Sequence, residues 1–333
     1  MDVLSQKLDN FLAVAASIFL NYGSVFSLTS LGCALLIASG HIIWRRLNRG
    51  RRLRVRTLVA GLFPRRIWRH ASTRADVWMF LINGFVLGGV LGFAAISGQA
   101  VYNVVSGGLT ALFGAPTPTT LPDWAARSII TLVLFLAYEF GYWFDHYLSH
   151  RIPILWEFHK VHHSATHLTP LTQWRMHPVN AIIFGNILSI CLAVAMAMMT
   201  QVFGGNVKEY ALSGTNIVLV VFIHLYIHLQ HSEVWIPFRG IWGKLFMSPA
   251  HHQVHHSNNP IHFDKNMGSC LSIWDWAFGT LYVPAKENEN LTFGIDAAYD
   301  VNTLEAGLVT PFIEAGRHVT GLIGEKAAPA KEA

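Results

Sequence analysis

Charge is scarce in this chain. Asp, Glu, Lys and Arg make up 13% of its 333 residues, while 52% are hydrophobic, and a soluble domain carries roughly a quarter charged residues. The deficit argues against a water-facing globule and for a surface that largely meets lipid. Cysteine is scarcer still. Cys33, Cys191 and Cys270 are far apart and form no CxxC pair, which excludes a disulfide framework or a thiolate metal site. There is no HExxH zincin element, Walker loop, Rossmann glycine pattern or nucleophile elbow, and no HPGG motif of a fused cytochrome domain. Those absences remove the common hydrolase, nucleotide-binding and serine-nucleophile readings.

Long apolar runs are present instead. Five are close to the roughly 20 residues that cross a bilayer: Ser24 to Trp44, Ala75 to Gly98, Trp124 to Trp143, Val179 to Val202 and Glu209 to Leu229. Tyr102 to Phe113 reads as an extra interfacial helix. The first run has no basic residues shortly before it and no small-residue cleavage site after it, so it reads as a retained anchor. The expected fold class is all-α, an integral membrane bundle of about four to six helices with a cytoplasmic helical cap.

Charge orients that bundle. Eleven of the 24 basic residues are arginines between Arg45 and Arg74, and such a block marks a cytoplasmic loop. The net charge of +5 therefore says little about nucleic acid. Anionic headgroups or an acidic protein partner explain the block equally well. Counting spans from it places every histidine cluster on the same cytoplasmic side.

The histidines carry the chemistry. Of 18, most fall in tight groups: His146 and His150; His159, His162 and His163; His224, His228 and His231; His251, His252, His255 and His256. HxxxH and HxxHH spacings put imidazoles on one helix face. About ten of them exceed the four to six positions of a single ion, so two metals are expected. Isolated histidines such as His41, His70 and His318 read as surface or interfacial residues, and His251 as a neighbour of its box.

The ordered motifs "YEFGYWFDHYLSHR", "LWEFHKVHHS", "RMHP", "LQHSEVW", "SPAHHQVHHS" and "WDWAFGT", spread from Tyr138 to Pro284, resemble the fatty acid hydroxylase and sterol desaturase superfamily of membrane di-iron enzymes. The resemblance implies that His146, His150, His159, His162, His163, His252, His255 and His256 are metal ligands with a catalytic role. His228 and His231 would complete the set, with His224 replacing His228 if the register slips by a turn. Asp145, Glu139 and Asp275 are the candidates for carboxylates that orient imidazoles, and His177 and Asn266 for neighbours of the site. The division implied is a membrane anchor over 1–123 with a basic cytoplasmic loop over 45–74, a catalytic domain over 124–284, and a cytoplasmic tail over 285–333.

Such a site is expected to hold two iron ions, with zinc possible on purification, and to use O2 on an unactivated C–H bond of a bilayer lipid. Hydroxylation leads desaturation and sterol demethylation. Electrons would come from a separate ferredoxin, cytochrome or reductase. Composition leans towards a bacterial inner membrane with the active site in the cytoplasm. Two other classes share the histidines: a metal-dependent membrane hydrolase, and a non-catalytic metal- or haem-binding membrane protein.

Overall fold

A computed structural model describes residues 3–87, 96–205, 208–295 and 301–321. The N-terminal third contains α1 (Val3–Phe19), α2 (Leu28–Leu47), α3 (Val55–Leu62), α4 (Arg65–Trp68) and α5 (Ala71–Leu81). The last of these widens into a π-helical stretch, Ile82–Leu87, and the rest of the second expected span lies outside the described residues. Next come α6 (Gly98–Phe113), α7 (Asp123–Arg151), α8 (Pro153–His163) and α9 (Pro178–Phe203). A hairpin of β1 (Ala211–Leu212) and β2 (Thr215–Asn216) precedes α10, Ile217–Gln230. Short helices close the chain: α11 (Gly240–Leu245), α12 (Pro249–His255), α13 (Ile273–Phe278), α14 (Leu304–Leu308) and α15 (Thr310–Thr320).

Among the described residues, α2, α7 and α9 are long and apolar enough to cross a membrane. The fifth expected span is shorter than its apolar run. Ser213 and Gly214, with φ of 52° and 80°, make the two-residue turn that left-handed positions favour. Asn216 then caps the helix by accepting from the Val218 N–H at 3.0 Å, so α10 starts only at Ile217.

Packing follows the small residues. A Cβ on Gly141 of α7 would sit 3.2 to 3.3 Å from Leu188 and Cys191 of α9, so glycine there permits the close approach of the two longest helices. Ala126, Ile130, Leu134, Ala195 and Phe203 form their core, with Met196 and Met199 against it. Phe135 joins Leu219, Ile223 and Ile227 of α10 and Cys270 and Leu271 in a second cluster.

The histidine-bearing α8 is held from two sides. Arg175, 1% exposed, donates to Val161 O and Ser164 Oγ at the end of α8, to Ser72 O and Asp76 Oδ1 of α5, and to Val301 O. A buried guanidinium needs this many acceptors to offset its lost hydration. On the other side, α15 lays Phe312 against Phe158 at 5.3 Å and His318 against Glu157 at 3.2 Å.

Candidate metal centre

Local sequence places the boxes. Pro153 and Pro249 stand in the first turns of α8 and α12, where their missing N–H costs nothing. Ser248 and His251 close a capping box on α12, with His251 Nδ1 2.6 Å from Ser248 Oγ and Nε2 3.0 Å from Gly243 O. His251 therefore anchors its helix, and His252, His255 and His256 point the other way.

Nine imidazoles converge into two sets. His146, His150, His159, His163 and His255 form one; His162, His231, His252 and His256 form the other. Within each set the nearest ring nitrogens all lie within 4.8 Å of one another. In the five-membered set His163 Nε2 is 3.1 Å from His255 Nε2 and 3.2 Å from those of His150 and His159. In the four-membered set His231 Nε2 is 3.0, 3.1 and 3.2 Å from those of His252, His256 and His162. Two nitrogens bound to one ion at ~2.1 Å sit about 3.0 Å apart at a right angle and about 3.4 Å at the tetrahedral angle.

Proton placement shows what these contacts are. His146 Nδ1 and His255 Nδ1 lie 2.8 Å from the carbonyls of Met267 and Lys265, and His159 Nδ1 lies 3.0 Å from Asn180 Oδ1. Each must donate there, so each Nε2 keeps a lone pair. His163 Nε2 faces two of those lone pairs and has at most one proton to give. Clustered lone pairs at this spacing repel unless a cation lies among them, and the donor set fits a metal. Burial first, and neighbouring imidazoles second, hold His163, His231 and His256 well below the ordinary value of 6.5. Burial likewise lowers His162 to about 3. Neutral rings are the form that binds metal.

The orienting partners differ from those expected. Neither Glu139 nor Asp275 contacts a ligand ring. Asp275 accepts from the N–H groups of Met267 and Gly268, each at 2.8 Å, and Glu139 from those of Cys270 and Leu271 at 2.9 and 2.7 Å. Both carboxylates shape the 265–271 loop, and its carbonyls orient His146 and His255. Asn266, at φ 59°, clips the loop to His251 O at 3.0 Å. Asp145 is buried with Oδ1 unpartnered among the described residues. Asp264 is the carboxylate beside one of the converging rings, 3.4 Å from His150 Nδ1, and like Asn180 it escaped the sequence reading.

His228 joins neither set. Its Nε2 is 3.1 Å from Ser30 Oγ of α2, and its ring stands on Phe26 at 5.2 Å. His224, the substitute, faces Thr29 Oγ1 at 3.0 Å. The reason is the π-helical turn Ile223–Ile227, whose wider i→i+5 winding breaks the α period. His231 lies just past the helix end, with ψ 68°, and alone of the three swings into the four-histidine set. His177 caps α9 and meets Leu308 O at 3.1 Å.

Residues 131–280 match the fatty acid hydroxylase family model, and the ordered boxes of that stretch are thereby a fatty acid hydroxylase segment, as the resemblance implied. Among individual proteins, the chain is 29% identical over 171 residues to human (Homo sapiens) alkylglycerol monooxygenase, 51% of this chain and 34% of that one. It is 30% identical over 174 residues to the Danio rerio alkylglycerol monooxygenase, 51% of this chain and 33% of the relative. It is 28% identical over 207 residues to the ornithine lipid hydroxylase OlsE of Rhizobium tropici, 62% of this chain and 56% of the relative. The chain thus spans about a third of the alkylglycerol monooxygenases it matches. No solved structure matches it significantly.

Proposed function

We propose that this chain is a membrane-bound, oxygen-dependent lipid hydroxylase with one iron in each histidine set. The observation that carries the reading is the partition of nine buried imidazoles into two adjoining sets of five and four. The names of the relatives add the substrate class, since both alkylglycerol and ornithine lipid are lipids. An iron pair there would supply the reduction of O2 and the oxidation of an unactivated C–H bond. Electrons come from a separate ferredoxin, cytochrome or reductase, and the apolar helices fit an inner-membrane protein with its site on the cytoplasmic side.

The chain's own residues hold, exclude and orient. Met267 O, Lys265 O and Asn180 fix the tautomers of three ligands, and burial keeps competing water from the rings. A cavity of about 350 Å³ runs from His231, Gln230 and Ser269 past Tyr138, Tyr142, Phe135 and Leu192 to Thr215 and Asn216. It follows the apolar length of α7, α9 and α10. A lipid chain would lie against Val25, Leu134, Phe135, Leu188, Leu192, Leu219 and Ile223 in the middle of the cavity, between polar ends, at roughly 0.8 kcal/mol per CH₂ kept from water. Entry from the side, between these helices, presents that chain to the four-histidine set.

Lipid mass spectrometry of cells with and without the chain, grown under isotopically labelled O2, tests the reading. One labelled oxygen atom in a membrane lipid, absent when His255 is Ala, is the expected result. An unlabelled product, or turnover without oxygen by a zinc-loaded protein, sinks it in favour of hydrolysis.

A further inference from the structure

The arginine-rich segment forms a cavity that the histidine site does not use. It is an open cleft of about 500 Å³ between the end of α2, α3 and the strand of chain that follows His231, and is lined by Ile42, Arg45, Arg46, Arg49, Arg51 and Trp235. Four guanidiniums face it against one carboxylate, Glu233. That carboxylate is already held by Arg66 at 2.8 Å. Arg45 and Arg49 have a further carboxylate, Glu287, at 3.5 and 3.6 Å, but it is 69% exposed and such a pair contributes little. Arg46 donates one Nη2–H to Arg52 O at 3.0 Å. Its Nε, and the Nε2 of His41 beside it, are buried without a hydrogen-bond partner among the described residues. A buried guanidinium N–H left unmade costs about 1 to 3 kcal/mol or more, so the cavity is short of an acceptor.

We infer that this cavity binds the phosphate group of an anionic glycerophospholipid. Guanidinium forks match phosphate oxygens bidentately, and the two unesterified oxygens of a phosphodiester would serve Arg46 Nε and its neighbours together. The surroundings favour a lipid over a free ion. Trp44 and Leu47 of α2 and Val55 and Val59 of α3 are large apolar residues exposed around the arginines, Val55 by 78%, and acyl chains would cover them where headgroups meet the bilayer. Trp235 ties the cavity to the metal ligand four residues before it. This inference stands on the arginines and the apolar rim, and holds or fails whatever reaction the histidines perform.

Native mass spectrometry of the full chain in neutral detergent tests it, with dioleoylphosphatidylglycerol, dioleoylphosphatidylcholine and inorganic phosphate as probes. Wild-type protein should retain the phosphatidylglycerol at least tenfold better than the phosphatidylcholine. Arg46→Gln/Arg49→Gln should lose that preference, and Arg69→Gln, outside the cavity, should keep it. Metal content and circular dichroism confirm that the double variant is folded. Competition by millimolar inorganic phosphate would show that the phosphate is what is recognised; indifference to it assigns recognition to the whole lipid, and either upholds the site. Preference retained in the double variant, or no preference in the wild type, overturns it. So does a variant that binds lipid normally and loses only its response to an acidic electron-donor protein.

Discussion

The two histidine sets are built from the same residue type and supported to different degrees. In the five-membered set, His146, His255 and His159 each donate their far nitrogen to a fixed oxygen, and Asp264 stands beside His150. In the four-membered set, the backbone of Thr172 and Arg175 holds His162, while the far nitrogens of His252 and His256 are buried with no partner among the described residues. An imidazole whose N–H is held is a better-oriented and more basic ligand. If each set holds a metal, the five-histidine set is expected to bind the tighter one and the four-histidine set the looser one. The four-histidine set also faces the cavity between α7, α9 and α10, through His231.

Removing a ligand from either side tests whether the two sets act as one unit. His255→Ala and His162→Ala should each lower turnover by more than the ~100-fold typical of losing an orienting partner, with membrane insertion intact. Full activity in either variant breaks the two-metal reading. Asn180→Ala should separate the sets instead. It removes the acceptor of His159 and should weaken metal binding about 10- to 100-fold in the five-histidine set only. Chelator titration followed by elemental analysis reads this as two metals leaving together, where the wild type releases them in two steps.

A substitution in the cavity probes the looser side without touching a ligand. Leu192→Trp should lower turnover of long-chain lipids several-fold and leave both metals bound, as judged by activity against chain length and by metal content. Unchanged turnover would mean that the substrate takes another path. The smallest effect comes near neutrality. Burial holds His162 down at about 3, far below the 6.5 of an unfolded ring. The unfolded chain thus binds more protons, so the metal-free fold loses stability as pH falls below 6.5 and continues to lose it towards 3. The metal-free wild type should therefore lose more melting temperature between pH 7 and pH 5 than His162→Phe does, a difference that cancels the opposing contribution of Asp275, whose carboxyl burial raises to about 6; an equal or smaller loss would contradict the neutral-ligand site.

Legibility in the sequence followed periodicity. Eight of the nine converging histidines stand in HxxxH or HxxHH spacings, and regular helical faces brought them together. The ninth, His231, was readable as a motif, but its companion His228 was assigned by assuming an α period that the π-helical turn Ile223–Ile227 interrupts. Asn180 and Asp264 were illegible for another reason. They are brought to the rings by tertiary folding, and Asp264 sits at φ 57°, a backbone state that no pattern of hydrophobic residues announces. The span boundaries erred at turns and caps, as at Ser213 and Gly214, where local hydrogen bonding overrode an apolar run.

The clasp of α15 on α8 bears on how the site is made. Phe312 packs on Phe158, His177 reaches back to Leu308 O and Arg175 to Val301 O, so the helix carrying His159, His162 and His163 gains its outer wall only from residues translated long after it. During synthesis the boxes must emerge, insert and pair before that wall exists, and chain segments fold in the order they are made. If the sets hold metals, loading is therefore expected to be easiest while α8 is unclasped, before Thr310–Thr320 docks.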